Sequence, residues 1–195
     1  MTRGAPRAGA RFGRIARVLR FFVTFIAMLA VLFGLELTPI AQRYFVVPWT
    51  DTLAAISARL VTVFDPTVTA SGNVLQSGSG FAVAIEAGCN GVEATLVLVA
   101  AMLAFPAPWR RKLTGLAVGI LAVQGLNVIR VISLFYLGQW NYQVFEWAHL
   151  YVWQALIMLD VLVVWLVWVR LLPTSDASSG PPEGPTRGSP APASA

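Results

Sequence analysis

Four stretches of this chain run for about the thickness of a bilayer with hardly a charge inside them, and basic residues stand at their ends. A crossing helix needs about 20 predominantly apolar residues. Where no water can bond the backbone, a chain that is not a closed barrel has to be helical. The stretches lie at 21–37, 91–107, 113–137 and 149–172. Charged residues make up only 12% of the 195 and hydrophobic ones 57%, whereas globular proteins carry about 25% charge. So few charges cannot cover a water-facing surface, and the expectation is an all-α integral membrane protein with four transmembrane helices. The single cysteine, Cys89, excludes a disulfide scaffold or a dithiol redox centre within one chain. The net charge of +5 gathers at membrane flanks and gives no support to a nucleic-acid partner.

A basic start followed by an apolar run also describes a signal peptide, but that apolar region is shorter and ends at a small-residue cleavage site. Here Glu36-Leu37-Thr38-Pro39 follows, so the first stretch reads as an uncleaved helix. Lys and Arg in short flanks stay cytoplasmic. Arg3, Arg7, Arg11, Arg14, Arg17 and Arg20 lie in residues 1–20, Arg110, Arg111 and Lys112 join the second and third stretches, and Arg170 closes the fourth. With four spans both termini are cytoplasmic, and residues 38–90 and 138–148 face outward. Rich in Pro, Ser, Gly and Ala, the tail 173–195 has little to bury and is expected to be a disordered cytoplasmic segment.

Within the outer segment Trp49, Leu53, Ile56, Leu60 and Val63 recur at spacings of three and four, with Asp51, Thr52, Ser57, Arg59 and Thr62 on other faces. That pattern predicts an amphipathic helix beginning after Pro48 and stopped by Asp65-Pro66, lying on the membrane or covering the bundle. From Thr67 to Ala87, β-branched residues and the breaks Ser71-Gly72-Asn73 and Ser77-Gly78-Ser79-Gly80 suggest a short β-hairpin, with Phe81, Val83 and Ile85 alternating like a strand.

Three polar residues then fall at one membrane face. Cys89 precedes the second span, whose helix N-terminus would lower the thiol pKa and populate the thiolate. Gly88 and Gly91 would let backbone come close to the sulfur. The alternative is a small buried hydrophobe. Arg130 stands inside the third span, about 10 Å from its outer end at 1.5 Å per residue, where it either snorkels to the headgroups or faces the bundle. Asn127, one turn below on the same face, favours the bundle. His149, the only histidine, opens the fourth span, where it is either an interfacial anchor or a proton carrier. A thiol nucleophile, an imidazole and a fixed cation together make an acyl-transfer set. One His and one Cys on separate helices fall short of a catalytic zinc site, so no metal or other cofactor is expected. A different reading is a non-catalytic assembly or transport subunit that uses Arg130 for helix pairing.

The run Glu86-Ala87-Gly88-Cys89-Asn90-Gly91-Val92-Glu93-Ala94, followed by Asn127-Val128-Ile129-Arg130-Val131 and then His149, resembles the Cys, Arg and His motif series of the exosortase/archaeosortase family. Its wording and the short chain are most similar to the compact exosortase H type. The resemblance covers roughly residues 20 to 170. It implies a membrane cysteine transpeptidase of the bacterial inner membrane with its active site facing outward. The substrates so implied are membrane-anchored proteins with a C-terminal sorting signal, consisting of a short motif, a hydrophobic helix and a basic cluster. Cys89 is then the nucleophile, Arg130 its electrostatic partner and His149 the acid/base. Glu86, Asn90, Gly91, Glu93 and Asn127 are substrate-binding or supporting residues, and an amine or water is the acceptor.

Overall fold

The computed structural model describes residues 8–172. The expected disordered tail, Arg3 and Arg7 lie outside the described residues. Seven α-helices carry the fold: α1 (Ala8–Glu36), the single turn α2 (Pro39–Ala41), α3 (Val47–Val61), α4 (Val92–Ala104), α5 (Trp109–Trp140), α6 (Tyr142–Trp147) and α7 (Trp153–Arg170). Two π-helical turns, Gln42–Val46 and Ala148–Val152, join α2 to α3 and α6 to α7. Among the described residues three helical stretches are long and apolar enough to cross a membrane: Ile15–Glu36, Trp109–Trp140 and Tyr142–Arg170. The stretch expected at 91–107 is a helix of only 13 residues, about 20 Å long. The first helix starts well ahead of residue 21 and takes Arg17 and Arg20 into its own turns.

Apolar side chains on the long helices point outward. Val23, Ile26, Val31, Leu121, Ile129, Leu162 and Leu166 are all exposed. On a soluble monomer such a surface would be an association site; against lipid it has no such cost. Inside, α4 packs on α1, α5 and α7, and Ala94, Leu98, Met102, Val123, Ile157, Val161 and Trp168 form one core. An aromatic cluster closes the lower end of this core, where the Phe105 ring lies 6.2 Å from that of Phe21, 6.0 Å from Trp165 and 5.8 Å from Trp168. Trp168 also donates its indole N–H to the Arg111 carbonyl at 3.1 Å. Gly115 makes room for that indole, since a Cβ there would collide with it. Arg110, Arg111, Lys112 and Arg170 therefore share this basic end, and Cys89 and His149 lie at the other.

A second core sits at the upper end, made by Leu53, Ala54, Ala58 and Val61 of α3, Leu75 and Ile85 of the sheet region, and Val131 and Phe135 of α5. The expected hairpin is a three-stranded antiparallel meander, β1 (Thr69–Ser71), β2 (Val74–Gln76) and β3 (Ala82–Ala84), with Ala70 opposite Leu75 and Leu75 opposite Val83. Gly72, at φ +57, takes the first position of a two-residue turn, where a primed hairpin turn favours glycine. Phe81 packs its ring 5.9 Å from that of Phe135 and against Gly138, pinning the sheet to α5.

The chain is already helical through Pro39–Val46 when it enters α3, so Pro48 lies inside the helical run and does not open it, and α3 ends at Val61, ahead of Asp65-Pro66. Thr50, Leu53, Ala54, Ser57, Ala58 and Val61 are buried. Ile56, Leu60 and Val63 are exposed, Val63 at 75%. Leu53 and Val61 supply the apolar contacts of the buried face, and the small residues Ala54, Ser57 and Ala58 between them allow close packing.

Candidate active site

The third strand runs straight into the segment that holds Cys89. Glu86 through Gly91 form a tight loop with two left-handed residues, Gly88 at φ +83 and Gly91 at φ +73, a region that residues with a Cβ enter at a cost. The loop's backbone is held mostly by side chains from elsewhere. Trp49 donates its indole N–H to the Asn90 carbonyl at 3.1 Å, and Gln124 donates Nε2 to the Gly91 carbonyl at 3.0 Å. Glu93 reaches back to accept from the Gly88 N–H at 2.7 Å. Asn90 accepts from the Val92 N–H at 3.0 Å and donates to Thr50 Oγ1 at 3.0 Å. Gly91 also lies close over α5: a Cβ there would sit 2.9 Å from Gln124 Oε1 and 3.0 Å from Asn127 Nδ2.

The fold brings Cys89, Arg130 and His149 together. Arg130 is 2% exposed; its Nη2 donates to the Cys89 sulfur at 3.4 Å and its Nη1 to the Gly88 carbonyl at 3.5 Å. The guanidinium thus turns inward, against the snorkelling alternative. His149 Nε2 is 3.8 Å from the same sulfur, and its ring stacks on Phe145 at 5.7 Å with 4° between the planes. Its Nδ1 is buried and has no hydrogen-bond partner among the described residues. The histidine stands in the π-turn Ala148–Val152, closed by the Trp153 N–H to the Ala148 carbonyl; such turns are frequent at functional sites. A cavity of about 140 Å³ opens on these side chains, walled also by Glu86, Leu134 and Phe145.

Burial pushes the Cys89 thiol up, the largest influence on it; the Arg130 guanidinium draws it down, and Glu93 and Glu86 push it up again. The expectation of a populated thiolate at rest is therefore corrected, because the helix-end argument left out the desolvation of the sulfur. A half-buried thiol beside an imidazole instead suits proton transfer from sulfur to nitrogen as attack begins.

The supporting residues divide. Glu86 lines the cavity. Asn90 and Glu93 turn back to brace the loop, and Gly91 supplies the left-handed turn. Asn127 is 0% exposed, with neither amide atom hydrogen-bonded among the described residues, and it lies beneath Gly91 rather than at the sulfur. Gln124, Thr50, Trp49 and Phe145 were not foreseen. Gln124 was within reach, because Gln124, Asn127, Arg130 and Ser133 recur every three residues as a polar stripe on an apolar helix. The other three are brought in by tertiary packing, and Trp49 shows in the sequence only as a member of the apolar repeat of α3. Among the described residues, no three His, Cys, Asp or Glu side chains gather as a metal site.

A family model for the transmembrane exosortases matches residues 8–169, nearly the whole described chain. Neither the comparison with curated proteins nor that with solved structures returned a match.

Proposed function

We propose that this chain, which belongs to the transmembrane exosortase family, is a cysteine transpeptidase that cuts the C-terminal sorting signal of exported, membrane-anchored proteins. The observation that carries the reading is the sulfur of Cys89 lying 3.4 Å from a guanidinium nitrogen and 3.8 Å from an imidazole nitrogen. Cys89 gives its proton to His149 Nε2 and attacks the scissile carbonyl. Arg130 faces the developing oxyanion with a cation that need not reorganise. As the tetrahedral adduct collapses the C–N bond breaks, His149 returns the proton to the leaving amine, and the upstream protein remains as a thioester. An acceptor amine, or water, then attacks the thioester, losing its proton through His149 and releasing the thiol. Arg130 bonds to the Cys89 loop and not to a lipid-facing helix surface, which counts against a pairing role in an assembly subunit.

Four spans and an outward-facing site complete the proposal. Helix α4 is short, but Phe105 and Pro108 are extended. About 20 Å of helix plus up to about 13 Å of extended chain matches a hydrocarbon core of about 30 Å. The basic end, with Arg110, Arg111, Lys112 and Arg170, is then cytoplasmic and the Cys89 end lies at the outer face of the inner membrane. Coexpression with membrane-anchored candidates from the same genome tests the function: a C-terminal helix should be lost in the presence of the intact chain and kept with Cys89→Ala. Cutting that survives Cys89→Ala would overturn the mechanism.

A further inference from the structure

Asp160 takes no part in the chemistry above, yet it is a carboxyl in the middle of an apolar membrane helix, with Oδ2 buried and, among the described residues, without a hydrogen-bond partner. It lines a cavity of about 270 Å³ between α5 and α7, together with Leu126, Trp153 and Ile157. A second cavity of about 370 Å³, walled by Val118, Ala122 and Val167, continues toward the basic end, and Val163 lines both. The two make one lipid-side groove reaching from Leu171 to Trp153 along α7. At 1.5 Å per residue that is about 27 Å, the depth of a bilayer core. Its upper end stops beside the π-turn that carries His149.

From this geometry we propose that the groove seats the membrane helix of the substrate, and that Asp160 bonds a polar side chain on that helix. The inference rests on the function proposed above and names the surface that delivers the bond to Cys89. Lipid tails can fill an apolar groove but offer nothing to a carboxyl group, and ionisable groups within membrane helices pair with other polar groups. The occupant is thus a single apolar helix carrying an amide, hydroxyl or basic donor about three turns inward from its outer end, level with Asp160 below His149. A second copy seated symmetrically on the same groove would set Asp160 against its own equivalent, carboxyl against carboxyl, in place of a dedicated donor.

The test is cross-linking, which needs no turnover. An exported reporter ending in a Leu/Ala helix of about 20 residues, with either Asn or Leu about three turns from its outer end, is coexpressed with the Cys89→Ala chain. A photoreactive residue replaces Val163 in the groove or Val23 on the outer face of α1. Capture from position 163 should favour the Asn helix by about fivefold, the worth of one hydrogen bond, and capture from position 23 should not distinguish the two. Asp160→Leu should abolish the preference, whereas Asp160→Asn, which keeps a bonding group in the same place, should retain it. A preference that survives Asp160→Leu, equal capture from both positions, or capture of a second copy of the chain from position 163 would overturn the proposal. Those failures would leave the cysteine mechanism standing, while cutting independent of Cys89 would leave the groove standing.

Discussion

Both ends of the α4–α5 pair are secured by side chains that reach backbone carbonyls, but they secure different things. At the basic end Lys112 donates Nζ to the Leu103 carbonyl at 2.6 Å, satisfying one of the four carbonyls that the end of α4 leaves without a helical partner. At the Cys89 end Trp49, Gln124 and Arg130 reach the carbonyls of Asn90, Gly91 and Gly88, in a loop with two left-handed glycines that joins a helix only at Gly91, the N-cap of α4. The first arrangement caps an element that packing already fixes. The second fixes a backbone that would otherwise have many conformations, and it aims a sulfur. Substitutions at the basic end should cost stability, and those at the Cys89 end should cost activity.

The largest effect separating the two ends comes from the sulfur itself. Cys89→Ala and Cys89→Ser should both accumulate in the membrane and lower processing by at least about a thousandfold, since a serine hydroxyl is a far weaker nucleophile without a base to deprotonate it fully. Immunoblots of substrate and enzyme from the same membranes measure both quantities. Next comes Arg130→Lys, which keeps the charge but loses the planar fork, with an expected drop of about a hundredfold in single-turnover rate. Turnover near that of the parent chain would reduce Arg130 to a generic cation.

A sharper contrast pairs Gln124→Leu with Lys112→Met. Gln124→Leu removes the donor to Gly91 and should lower processing about tenfold, the size of one lost bond of about 1 kcal/mol plus the loop's gained freedom. Lys112→Met should leave processing intact and lower the melting midpoint in detergent. If the two variants exchange phenotypes, the division between a structural and a functional end fails. The smallest effect is in the titration of the thiol. Alkylation from outside should rise with pH through a midpoint above about 8.5, because burial holds the proton on sulfur. Glu86→Gln should lower that midpoint slightly, since it removes a charge that opposes the thiolate, and Arg130→Gln should raise it. A midpoint below the ordinary thiol value in the parent chain would contradict the burial argument.

How much of this was legible beforehand follows from the solvent each residue meets. Charge-poor runs and their arginine flanks located the long helices, since bilayer thickness is a length that sequence records directly. The amphipathic repeat located α3, but Pro48 did not mark its start, because a proline in a first turn lacks only an N–H that the preceding π-turn can do without. Which face of α3 is buried was not legible, because an apolar stripe points to the core only when the other side is water. Ile56, Leu60 and Val63 have no such reason to turn in, and Ser57 and Thr50 are inside. The alternation of Phe81, Val83 and Ile85 marked β3, but strands of three residues each carry too little pattern to show a three-stranded meander in place of a hairpin. Cys89, Arg130 and His149 were legible because each is chemically conspicuous in apolar surroundings. The bracing of the loop by Trp49 and Thr50 depends on contacts some forty residues apart in the chain.

The π-turn at Ala148–Val152 has a consequence for how the molecule can change. Such a turn holds one residue more than an α-helical turn would, so the helix above it and the helix below it are offset by about 100° around their common axis. The direction of His149 is therefore uncoupled from the faces that α7 turns toward α4 and α5. Deleting one residue from the turn would leave Ile157, Val161 and Trp168 packed as they are and swing the imidazole away from the sulfur, disarming the site without loosening the bundle. The extra residue acts as a phase adjuster between two tasks that a regular helix would have forced into a single register.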